Sequence, residues 1–141
     1  MTVTAQASRI IPAQPAEVWE TLTSREGMKA YMMGADVEAD WRVGGRIAMR
    51  GEYNGKPFED RGEVRSFEPR QHLSYTHESS AAPGQTHVVT IELTPRTTGT
   101  EVTVTQAPGE GVDPDADAKM KAQYEKTWAA MLESLEKAVE D

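Results

Sequence analysis

The spacing of apolar residues changes period twice along the chain. Thr2 to Ile11 alternates weakly and stops at Pro12, the pattern of a strand. Pro15 then suits a first helical turn, where its missing N–H has no intrahelical partner to lose. Val18, Trp19 and Leu22 fall on one face of a short helix over about Pro15 to Thr23. Ser24 is placed to cap a second short helix carrying Met28, Tyr31 and Met32, with Gly34 as its terminator.

From Asp36 to Gln106 the period is two. Val37, Ala39 and Trp41 alternate with acids, and Gly44-Gly45 makes a turn. Ile47, Met49 and Tyr53 lead to Asn54-Gly55, the strongest hairpin signal here, since both residue types tolerate positive φ. Phe58, Asp60, Gly62 and Val64 form the next stripe. Leu73, Tyr75 and His77 follow a turn at Glu68 to Arg70. Val89, Ile91 and Leu93 follow a polar loop from Ser79 to Gln85, and Val102 and Val104 come after a turn at Pro95 to Gly99. Short connections between successive strands imply an antiparallel meander with one buried face.

The period then returns to that of a helix. Asp113 reads as an N-cap, Pro114 as the first position, and Asp115 and Asp117 as acids at the positive end of the dipole. Met120, Tyr124, Trp128, Met131, Leu135 and Val139 recur every three or four residues, giving one apolar stripe on a single helix over about Pro114 to Glu140. So long a helix needs a broad apolar surface, and the sheet supplies it. The expected fold is α+β: a curved antiparallel sheet of about six to seven strands wrapped on a long C-terminal helix, with two short helices after the first strand.

Composition narrows the function. The 141 residues suit one domain, and no linker or repeat divides them. The absence of Cys removes disulfides, thiolate metal sites and a Cys nucleophile. It fits a cytoplasmic protein, as does an N-terminus without the basic and apolar regions of a signal peptide. No apolar run approaches the roughly 20 residues that span a bilayer. A net charge of −8 argues against nucleic acid as a partner. Arg61 and Arg65 are candidates for a local basic face, although solvated charges on a strand explain them better.

Several short segments, taken in order, resemble a known superfamily. Ile11-Pro-Ala-Gln-Pro-Ala-Glu-Val-Trp19 is similar to the opening of START-like (SRPBCC, birch-pollen-allergen-like helix-grip) proteins. Val43-Gly-Gly-Arg46, Gly62-Glu-Val64, Phe67-Glu-Pro69, Leu73-Ser-Tyr75, Gly99-Thr-Glu-Val-Thr-Val-Thr105 and Trp128 follow in the family's order. The branch it most resembles is that of the activator of heat-shock protein 90 ATPase homologues. The resemblance implies a helix-grip fold with a cavity between sheet and C-terminal helix. The superfamily includes lipid carriers, hormone receptors, polyketide cyclases and chaperone co-factors, so fold alone does not select among them.

The residues favour a binder or carrier of a small hydrophobic or aromatic molecule. Seven Met residues are present, with Met28, Met32, Met49, Met120 and Met131 on expected inward faces, and Met adapts to variable ligands as readily as it fills core gaps. The expected cavity wall comprises Met120, Tyr124, Trp128 and Met131 from the helix, and Trp41, Met49, Tyr53, Tyr75, Val89 and Ile91 from the sheet. Tyr31 and Met32 guard its mouth.

Asp60, Tyr75, His77 and, less firmly, His87 share the inward face, where a few polar groups would orient a ligand. A wet, inert sheet rim explains His77 and His87 better, since one residue of strand slip reverses every assignment. A second reading is a cyclase- or hydratase-type enzyme with Asp60 and either His77 or Tyr75 as acid and base. A third is a module that modulates a partner protein. His72, His77 and His87 lack the compact spacing of metal ligands, no nucleophile motif surrounds Ser79-Ser80, and no cofactor is expected. Oligomeric state is left open by the sequence.

Overall fold

The period-two stretch folds as its alternation dictates. In the computed structural model, which describes residues 4–140 and leaves the Tyr53 side chain outside that description, it forms β2 (Asp36–Ala39), β3 (Arg46–Tyr53), β4 (Lys56–Glu68), β5 (His72–Glu78), β6 (Thr86–Arg96) and β7 (Gly99–Pro108). β1 (Ala5–Ile11) returns beside β7, so the order across the sheet is β1-β7-β6-β5-β4-β3-β2, antiparallel throughout. The start of the expected first strand, Thr2 and Val3, lies outside the described residues. Asn54 (φ 53°) and Gly55 (φ 77°) close the β3–β4 hairpin with the two positive φ values that their identities forecast.

A bulge between Val64 and Ser66 re-phases β4. Val64 and Phe67, three residues apart, therefore both face inward, opposite Tyr75 and Leu73 respectively. The extra residue bends the strand and helps curl the sheet. Phe67 stacks on Trp41 at 5.6 Å between ring centroids and meets Trp19 at 5.4 Å.

α1 (Pro15–Thr23) and α2 (Arg25–Tyr31) are the two short helices expected after the first strand. The expected single C-terminal helix is instead two pieces, α3 (Pro114–Ala118) and α4 (Lys121–Glu140). At the junction the amides of Lys119 and Met120 bond back three residues, to Ala116 and Asp117, rather than four. This tighter turn shifts the phase of everything after it. α4 runs beside β1, α1 and α2 and buries Leu132 and Leu135 most deeply. It also secures the sheet's edge: the Glu125 carboxylate accepts from the Gln6 amide (3.0 Å), and Arg9 pairs with Glu136 at 2.7 Å. No described helix is long and apolar enough to cross a membrane.

Candidate functional site

α1 and α2 cover the part of the concave face that α4 leaves free, and three bonds fix them there. Ser24 Oγ accepts from the Gly27 amide (3.0 Å), capping α2 as its position forecast. Gly27 permits the fold-back: a Cβ there would come within 1.9 Å of the Thr21 carbonyl oxygen. The Tyr31 hydroxyl donates to the Leu22 carbonyl (2.8 Å) and the Trp41 indole N–H donates to the Thr23 carbonyl (2.8 Å). Both bonds hold the C-terminal end of α1 against neighbours that are otherwise apolar.

An apolar cavity of about 10 Å³ remains beneath these helices, room for one water molecule. Tyr31, Met32, Trp41, Met49, Tyr75 and Ile91 line it, together with residues such as Leu22, Met28 and Val37. No charged side chain is on its wall, and no residue of α4 is either. This corrects the expected position of the cavity between the sheet and the C-terminal helix.

The four helix residues expected on the wall are placed elsewhere. Met120 sits in the turn between α3 and α4 and is 42% exposed. The Tyr124 hydroxyl donates to Asp117 (3.1 Å), and the Trp128 indole donates to the Gln106 side-chain oxygen (2.7 Å). Met131 is half-buried, while Leu132 beside it is the residue that packs inward. The broken helix, and the packing of α4 beside β1, α1 and α2, account for the change. Val89 is buried in the core but does not line the cavity, and the Tyr53 side chain lies outside the described residues.

Two polar pairs lie on the concave face nearby. His77 Nε2 is 2.9 Å from one Asp60 oxygen, and the Ser80 amide donates to the other at 3.0 Å. Asp60 is the cross-strand partner of Met49, which places the pair beside the cavity wall. His87, opposite His77 in the β5–β6 register, pairs through Nε2 with Asp117 at 2.8 Å. The Thr4 and Tyr124 hydroxyls donate to the same carboxylate. His72 belongs to neither group and bonds Ser66 Oγ at 2.7 Å. Arg61 and Arg65 are engaged in ion pairs with Glu78 and Glu63.

Asp117 is the functional-looking residue that sequence reasoning missed, having assigned it to the helix dipole. Tyr124, seven residues on, meets Asp117 across the break between α3 and α4, a contact that helical spacing does not forecast. Burial pushes the Asp117 carboxyl up, but hydrogen bonds from Thr4 and His87, the His87 charge and the Tyr124 hydroxyl outweigh it and hold the group below the usual carboxylate range. Burial raises the Tyr31 phenol, with a smaller push from Tyr75, and burial raises Tyr75 as well. Burial and the Asp117 carboxylate raise Tyr124. All three phenols are therefore neutral near pH 7.

The family model described as "Activator of Hsp90 ATPase homolog 1-like protein" matches residues 12–140. The chain is similar to ChR145 from Cytophaga hutchinsonii, with 36% identity, coverage of 99% of this chain and 97% of that one, and a TM-score of 0.74. It is also similar to MLL2253 from Mesorhizobium loti at 25% identity, covering 96% of each chain with a TM-score of 0.76. DynU16, described as a putative protein in the dynemicin biosynthetic locus, shares the fold at 21% identity and a TM-score of 0.77, over 96% of this chain and 46% of that one. No curated protein matches the chain.

Proposed function

Because the chain belongs to the Activator of Hsp90 ATPase homolog 1-like family, whose helix-grip domains are often built around a ligand, we propose that it binds a small hydrophobic or aromatic molecule under α1 and α2. The observation that carries this reading is the enclosed apolar space whose wall includes Met28, Met32 and Met49. Drug-sized ligands need several hundred Å³, so binding one requires this water-sized space to open by re-packing of its wall. Three flexible thioethers are the side chains best able to re-pack around a guest. Met32 follows the end of α2, where the chain turns through Met33 (φ 57°) and Gly34 (φ 82°), and it is the member of the wall best placed to move.

The neutral fluorophore N-phenyl-1-naphthylamine tests this site. The wild-type protein is expected to bind it with enhanced emission, and native mass spectrometry of freshly purified protein is expected to show a co-purified small molecule. Met32→Trp overfills the space of about 10 Å³ and is expected to cost about 1–3 kcal/mol of stability. In protein still folded at the titration temperature it is expected to weaken the fluorophore by about tenfold, the scale of about 1.4 kcal/mol. Binding that ignores the substitution, or no binding at all, overturns the proposal.

One observation favours a second reading, acid–base catalysis by Asp60 and His77. A carboxylate held by the Ser80 amide fixes the imidazole that it partners, at the border of the apolar space. A substrate whose turnover is lost in Asp60→Asn with binding preserved would establish it. A role as a protein-docking module has less behind it. The exposed large apolar residues Ile10, Met33, Val43 and Met120 occupy four separate elements and turns, as scattered surface apolar residues do.

A further inference from the structure

Tyr75 is the polar member of the cavity wall whose side chain has no partner among the described residues. The residue is 3% exposed and its ring lines the space. Its hydroxyl makes no hydrogen bond among the described residues, in contrast to Tyr31, whose hydroxyl is committed to the Leu22 carbonyl. Yet among these residues no fully enclosed side-chain oxygen or nitrogen lacks a partner. The Tyr75 oxygen therefore keeps some accessible surface, and the cavity is the space that the residue lines.

A buried hydroxyl left without a partner is costly, and buried polar groups in folded proteins nearly always find one. A guest in the cavity supplies what the protein withholds. The phenol stays protonated because burial disfavours its charged form, so it offers an O–H and calls for an acceptor. The wall carries no cation, so a carboxylate or phosphate there would be desolvated without compensation. Resting on the binding function proposed above, we infer that the guest is an uncharged, mostly apolar molecule carrying a ketone, aldehyde or ether oxygen that accepts a hydrogen bond from the Tyr75 hydroxyl.

Three probes of similar shape test this by amide chemical-shift titration, which reads weak binding residue by residue: acetophenone, cumene and benzoate. In the wild type, acetophenone shifts amides around Tyr31, Met49 and Tyr75 and binds about three- to tenfold more tightly than cumene, the effect of one neutral hydrogen bond. Benzoate produces no saturable shifts there. Tyr75→Phe removes one oxygen atom and erases the preference by weakening acetophenone while leaving cumene unchanged. The variant unfolds at or above the wild-type midpoint, because no protein bond is lost. If acetophenone and cumene bind equally and Tyr75→Phe changes neither, this inference fails while the apolar site stands. If neither probe binds, the hydroxyl serves a buried water only, and both the inference and the binding function fall. Benzoate binding as tightly as acetophenone overturns the uncharged class.

Discussion

Asp60–His77 and Asp117–His87 are chemically the same pair, with the two histidines opposite each other on neighbouring strands. Their separations, 2.9 and 2.8 Å, hardly differ. Their surroundings do. The first pair keeps 30% of the histidine and 15% of the carboxylate side chain in solvent, and its remaining bond comes from a loop amide. The second leaves 2% of its carboxylate exposed and draws on Thr4 ahead of β1, His87 in β6 and Tyr124 in α4. A buried carboxylate that ties the chain before β1 to β6 and α4 is a clamp on the fold. One bonded by a neighbouring strand and the loop after it, at a more open border, is freer to meet a guest.

Removing the buried carboxylate separates the two most sharply. Asp117→Ala strands three donors and is expected to cost about 2–4 kcal/mol in urea unfolding, the range for breaking a buried charged network. Acid titration of stability is the next largest effect. The Asp117 carboxyl lies below its usual range in the folded protein, so folding favours its ionised form. Its contribution is complete above about pH 4, where the unfolded carboxyl is ionised, and is lost as pH falls through the lower folded value. Unfolding midpoints of Asp117→Asn should therefore fall less steeply below about pH 4 than those of the wild type.

Tyr124→Phe takes away one of the three donors and should cost about 1 kcal/mol by the same urea measurement. Asp60→Asn should lie within about 0.5 kcal/mol of wild type, since a partly exposed pair contributes little. If Asp60→Asn proves as damaging as Asp117→Ala, the distinction between the two pairs collapses.

The strands and short helices were legible because each has a local cause: alternation in β2 to β7, Pro15 at a helix start, Ser24 at a cap and Asn54-Gly55 at a hairpin. The cavity residues Tyr31, Met32, Trp41, Met49, Tyr75 and Ile91 could be named from strand parity and helix spacing, but the helix they face could not. The apolar stripe from Met120 to Val139 is continuous in sequence. The interruption at Lys119 and Met120 lies beside Asp117, whose side chain bonds a residue as far away as Thr4, and no local pattern encodes such a contact. The phase change at Val64 to Phe67 was hidden for a similar reason. A bulge is specified by how β4 must match its neighbour, and the residues within β4 look regular. The pairing of Asp60 with His77 was visible as a possibility, because both fall on the inward parity of adjacent strands.

The Glu125 carboxylate that receives the Gln6 amide has a consequence for how the protein behaves in a crowded solution. An open sheet exposes amides and carbonyls at each border, and a foreign strand can dock there and recruit others. Here a negative side chain from α4 occupies the position that an incoming backbone carbonyl would take, and Arg9 and Glu136 add bulk and charge alongside. At the opposite border β2 is only four residues long, too short to template much. The helix α4 thus blunts the β1 border against strand-to-strand association, the role that charged groups and covering helices play at open sheet edges.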